Sequence, residues 1–89
     1  MMERRVTLKN RLGLHARSAA KIVSTASKFR AKVSLVKGDN VVDAKSILGI
    51  LFLASGQGES LVVRTEGPDE EAALKALEAL VDRRFDEAE

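Results

Sequence analysis

The hydrophobic period of this chain switches repeatedly between two residues and the 3.6 of a helix, so it must build both a sheet and the helices that cover it. From Met2 to Lys9, the residues Met2, Val6 and Leu8 fall on one face and Glu3, Arg5, Thr7 and Lys9 on the other, with Arg4 standing where an apolar residue is expected. That pattern predicts a half-buried strand. After a break at residues 10–13, Ala19, Ile22, Val23, Ala26 and Phe29 recur at helical spacing, which predicts a helix from Ala16 to Lys28. Lys32 to Lys37 alternates again with Val33 and Leu35 inward. Gly38-Asp39-Asn40 then tolerates φ > 0 and Val41-Val42 returns to β-branched residues, the signature of a hairpin.

Ser46 opens a short apolar stretch read as a helix to Leu53, with Ile50 and Phe52 assigned to the core. Glu59 to Thr65, with Leu61 and Val63 on one face, is the last strand. Pro68 is expected at the first helical position of the strongest helix, followed by Asp69, Glu70 and Glu71 where the helix dipole favours negative charge. Ala73, Leu74, Leu77, Leu80 and Val81 form its buried stripe, and Lys75, Glu78 and Asp82 its wet one. The order is therefore β-α-β-β-α-β-α. One-sided strands and single-striped helices assemble most simply as a two-layer α+β sandwich whose other sheet face meets water. With 89 residues, 45% of them hydrophobic, a single domain over 1–89 is expected, the acidic end Asp86-Glu87-Ala88-Glu89 forming a flexible tail.

Composition removes several function classes. Fifteen Lys and Arg against 13 Asp and Glu leave a formal charge of +2, and only 3% of residues are aromatic, so neither a basic footprint nor a base-stacking platform for nucleic acid is present. The absence of Cys excludes a disulfide framework, a thiolate nucleophile and a cysteine zinc cage, and fits a reducing compartment such as the cytoplasm. No apolar run reaches the ~18–20 residues of a membrane-spanning helix, and Glu3, Arg4 and Arg5 interrupt any signal-peptide core.

The single histidine, His15, stands in Gly13-Leu14-His15-Ala16-Arg17-Ser18, where a loop turns into the first helix. Three consequences follow. The amides of Ala16, Arg17 and Ser18 in the opening turn point at whatever lies beyond the helix, a setting suited to an anion such as a phosphoryl group. The positive end of the helix favours a neutral, nucleophilic imidazole. Arg17 supplies a fork of donors for phosphoryl oxygens. A lone exposed His capping a helix is the plain alternative. No metal or other cofactor is expected, because one His without Cys or an acidic neighbour in its segment falls short of the three or four ligands required. A Ser-His-Asp mechanism lacks an identifiable partner for Ser18.

Ser46, in Asp43-Ala44-Lys45-Ser46-Ile47-Leu48-Gly49-Ile50-Leu51, is expected to cap its short helix. Phosphorylation there would place negative charge where the helix dipole accepts it, acting on partners rather than on the fold. Ile47, Leu48 and Leu51 are candidates for a docking patch.

Gly13-Leu14-His15-Ala16-Arg17 and Lys45-Ser46-Ile47-Leu48-Gly49-Ile50-Leu51, together with the element order, resemble the HPr family of histidine-containing phosphocarriers of the bacterial phosphoenolpyruvate-dependent sugar phosphotransferase system. The resemblance covers nearly the whole chain. It implies an open-faced sandwich, a four-stranded antiparallel sheet with three helices on one face. It also implies a stoichiometric carrier, not an enzyme, in which enzyme I donates a phosphoryl group to Nδ1 of His15 and an enzyme II A component removes it. In members with an HPr kinase/phosphorylase the residue matching Ser46 is phosphorylated, impairing transfer from enzyme I, and the carrier is expected to be monomeric. Ser18 departs from the family's usual proline, which puts the tightness of the helix start, or a role for its hydroxyl in the anion site, in question. Residues 52–58 depart too, being rich in small residues and lacking the lysines common there. Two alternatives stand beside the sugar carrier: a carrier in a nitrogen-related regulatory chain, and an interaction module that is never phosphorylated.

Overall fold

A computed structural model describes residues 1–88. The elements are β1 (Met2–Thr7), α1 (Ala16–Ala26), β2 (Lys32–Lys37), β3 (Asn40–Asp43), α2 (Ile47–Phe52), β4 (Ser60–Glu66) and α3 (Glu70–Asp82), followed by a 3-10 turn over Arg84–Asp86. The strands form one antiparallel sheet in the order β1-β4-β2-β3. Register follows the apolar residues: Val6 pairs with Leu61, and Leu35 lies between Val63 and Val42, so that apolar side chains line up on one face. That face, with Val6, Val33, Leu35, Leu61 and Val63 buried, shares one core with Ile22, Ile50, Leu74, Leu77 and Leu80 of the helices. This is the α+β sandwich expected. Among the described residues no helix is long and apolar enough to cross a membrane.

Arg4, anomalous in the strand pattern, stays at the surface and donates to Glu78 of α3 at 2.8 Å. The β2–β3 hairpin turns over two residues with φ > 0 at Gly38 alone, as a type II′ connection requires.

Element ends shift by a residue or two, as with α1 closing at Ala26, and three larger features differ from the sequence expectation. Pro68 is not the first helical position; α3 begins at Glu70 with Asp69 as its N-cap. The Asp69 carboxylate is occupied instead by the amides of Arg30 and Ala31, at 2.9 and 2.8 Å, which holds residues 68–69 against the end of the α1–β2 connection. Phe52, assigned to the core, is 69% exposed, because α2 turns Ile50 and Leu53 inward and Phe52, two residues after the one and one before the other, falls off that face. Finally, the chain after α3 folds back. Arg84, Phe85 and Asp86 adopt left-handed φ of 57, 55 and 62°, and Phe85 is wholly buried. Where the pattern suggested a loose acidic tail, Asp86 therefore belongs to a 3-10 turn and Glu87 is hydrogen bonded to the body; Glu89 lies outside the described residues.

Candidate functional site

The loop before α1 is fixed from both sides. Asn10, fully buried, donates its amide to the carbonyl of Gly13 at 2.9 Å and to Oε1 of Glu87 at 2.9 Å. Gly13 has φ +64°, and a Cβ there would fall 2.4 Å from the carbonyl oxygen of Ser55 and 2.6 Å from Cα of Gly56. Only glycine fits so close an approach. The small residues of 52–58 thus have a structural use: they let this loop lie against them, with the amide of Leu14 on the Ser55 carbonyl at 2.8 Å.

His15 is the N-cap of α1, in extended conformation. Its backbone amide donates to Oγ of Ser18 at 2.9 Å, and the Ser18 hydroxyl in turn donates to the Gly13 carbonyl at 2.9 Å. With the Ser18 backbone N–H directed at the His15 side chain in return, this reciprocal cap fixes the helix start without proline. It also turns the Ser18 hydroxyl inward, in a residue that is completely buried. Ala16 and Arg17, the first two residues of the helix, are exposed.

The two ring nitrogens of His15 have different partners. Nε2 lies 2.7 Å from Oε2 of Glu87, and Nδ1 receives the backbone N–H of Arg17 at 3.3 Å. A carboxylate only accepts, so Nε2 carries the hydrogen; Nδ1 accepts, so it presents its lone pair. The side chain of His15 keeps 27% of its surface exposed, whereas that of Glu87 keeps only 10%. Burial pushes the Glu87 carboxyl up. Hydrogen bonds from Asn10 and His15, with the charge of Lys21 nearby, outweigh it and hold the group below the usual carboxylate range.

Arg11, Leu12, His15, Ala16, Arg17, Glu87 and Ala88 line one open depression. Among the described residues the Arg17 guanidinium has no hydrogen-bond or ion-pair partner, which leaves it available to a ligand. Nor, among them, is there any group of three or more His, Cys, Asp or Glu that could hold a metal ion. The site therefore offers one nucleophilic nitrogen, outward amides and an arginine, a combination suited to a transferable phosphoryl group.

Ser46 stands apart from this depression. Its Oγ accepts from the amide of Gly49 at 3.1 Å as the N-cap of α2. Ile47 and Leu48 are exposed, at 42% and 81%, and Phe52 lies one helical turn from Leu48; Leu51 is half-buried against the core. The apolar surface of α2 is thus Ile47, Leu48 and Phe52 rather than Ile47, Leu48 and Leu51. Sequence reasoning also missed Asn10 and Glu87. The one local signal was Phe85, an isolated aromatic in a charged stretch that needed somewhere to be buried.

A family model described as the PTS HPr component phosphorylation site matches residues 2–83. The chain belongs to the HPr family. Phosphocarrier protein NPr of Shewanella violacea is 47% identical over 87 residues, covering 98% of this chain and 96% of that protein. Phosphocarrier protein HPr of Cupriavidus necator is 45% identical over 89 residues and covers both chains entirely. A crystal structure of HPr from Thermoanaerobacter tengcongensis superposes with a TM-score of 0.95 at 45% identity, covering 100% of each chain. The HPr fold, four antiparallel strands and three helices in the order β-α-β-β-α-β-α, is the fold described above. HPr proteins are phosphocarriers.

Proposed function

We propose that this chain is a stoichiometric phosphoryl carrier of the cytoplasm, accepting a phosphoryl group from phosphorylated enzyme I on Nδ1 of His15 and yielding it to an enzyme II A component. The observation that carries this reading is the division of the ring: Nε2 is engaged by a carboxylate while Nδ1 holds its lone pair toward the open end of α1. As Nδ1 bonds to phosphorus, the Arg17 amide it now accepts from is directed at the place the phosphoryl oxygens take. The amide of Ala16 and the guanidinium of Arg17 complete the charge stabilisation.

In the same reading Ser46 is the regulatory site, a substrate for HPr kinase/phosphorylase. Ile47, Leu48 and Phe52 form the apolar part of the docking surface, with Leu51 supporting it from beneath. A phosphate on Ser46, one residue from Ile47, would set a second anion beside that surface and repel a phosphorylated donor. The 47% identity to an NPr favours a second reading as strong as the first in its chemistry: the same carrier cycle in a nitrogen-related chain with no sugar permease.

The test is to incubate the protein with enzyme I and labelled phosphoenolpyruvate. Acid-labile label that His15→Ala abolishes is expected, with Arg17→Ala slowing its transfer to an A component by roughly 100-fold. Label that survives His15→Ala refutes the assignment. Running the sugar-type and nitrogen-type enzyme I side by side separates the two readings.

A further inference from the structure

The folded-back end of the chain places one acidic side chain on the reactive ring, and the carrier cycle as stated above gives that side chain no part in the transfer step itself. Phe85 is wholly buried, the Lys21 ammonium donates to its carbonyl, and three consecutive residues accept left-handed backbone to make the turn. Such conformations are unfavourable for residues with a Cβ and persist only where surrounding contacts impose them. What the turn achieves is the position of Glu87. Its Oε1 is held by buried Asn10 at 2.9 Å and its Oε2 lies 2.7 Å from Nε2 of His15.

We infer that Glu87 is a positioning residue for phosphoryl transfer, holding His15 with its hydrogen on Nε2 and countering the charge that the ring acquires when Nδ1 is phosphorylated. The inference rests on the carrier reading. In the step, the Nδ1 lone pair forms the bond to phosphorus while the bond from phosphorus to the donor breaks, its electron pair leaving with the donor. Nε2 keeps its hydrogen throughout, so the phosphorylated ring is cationic, and the Glu87 carboxylate faces that charge across the Nε2–H bond. On transfer onward the electron pair of the N–P bond returns to Nδ1 and the ring is neutral again. A carboxylate that orients an imidazole and stabilises its cationic form is the arrangement by which the buried Asp of a serine protease serves its His. Here it would favour the charged carrier as well as the approach to it.

The test compares the full chain with Glu87→Gln, using Glu71→Gln, an exposed glutamate whose partner is Lys75 four residues on, as the control. Two readouts are taken: the Nε2 proton of His15 by 15N-resolved NMR in the unphosphorylated protein, and the phosphorylation equilibrium and rate with enzyme I. The full chain and the control are expected to show a slowly exchanging, downfield Nε2 proton. Glu87→Gln is expected to lose that signal, keep the rest of its amide spectrum, and fall about tenfold in both rate and equilibrium constant, the scale of one lost charge-assisted hydrogen bond. A Glu87→Gln protein charged to the same extent and at the same rate as the full chain overturns the inference, as does a full chain lacking the protected Nε2 proton. If the proton is present but enzyme I charges neither protein, it is the carrier reading that fails, and the role of Glu87 in transfer falls with it.

Discussion

Nδ2 of Asn10 and Oε1 of Glu87 lie 2.9 Å apart although 77 residues separate them in the chain. The same Nδ2 also serves the Gly13 carbonyl, so a single buried amide ties the loop before His15 to the far end of the protein. Both of these partners are acceptors, which fixes the orientation of the Asn10 amide. Replacing Asn10 with Ala leaves the Gly13 carbonyl and the Glu87 carboxylate short of a donor in a closed environment. Urea unfolding is expected to register a loss of about 1–3 kcal/mol. A change below about 0.5 kcal/mol, the usual range for an incidental surface position, contradicts the tie.

Asp69 accepts the amides of Arg30 and Ala31, and the Arg30 amide foremost holds its carboxyl below the ordinary aspartate range. A carboxyl whose folded value is depressed stabilises the fold above its unfolded value, about 3.9, and that contribution fades as pH falls through the lower, folded value. Chemical denaturation midpoints should therefore drop on acidification below about pH 4. Asp69→Asn, which cannot ionise, should flatten that part of the acid limb, and an acid limb identical in the two proteins would remove Asp69 from it.

Ser46 can be examined in two directions. Ser46→Ala removes the bond from the Gly49 amide and is expected to destabilise by about 0.5–2 kcal/mol. Ser46→Asp retains a capping acceptor and adds a negative charge, so its stability should match that of the unaltered protein while charging by enzyme I slows. Equal charging rates for Ser46→Asp and the unaltered chain would argue that charge at this position does not reach the donor.

The sheet and helices were legible because their information is local. Val33 and Leu35 alternate within a few residues, and Ile22 and Ala26 repeat within one helix, so each period announces its element. The order of elements and the N-cap roles of His15 and Ser46 were equally readable, since caps and turns draw on neighbours in the chain. Phe52 was misplaced because a helix of six residues carries too few turns to reveal which side faces inward. The use of the Ser18 hydroxyl was not legible, because a hydroxyl bridging the Gly13 carbonyl and the His15 amide depends on how the loop bends around Gly13. Glu87 was the least accessible. It meets His15 across 72 residues, and nothing near it in the chain signals a left-handed turn anchored by Phe85.

The central claim is chemical: the ring nitrogen that accepts the Arg17 amide is the one that takes the phosphoryl group. The most direct measurement is 15N and 31P NMR of the protein, labelled at histidine and charged by enzyme I with phosphoenolpyruvate. Phosphorus coupled to Nδ1, with hydrogen retained on Nε2 beside Glu87, is the predicted result. Phosphorus on Nε2, or a protein that enzyme I leaves uncharged, would contradict it.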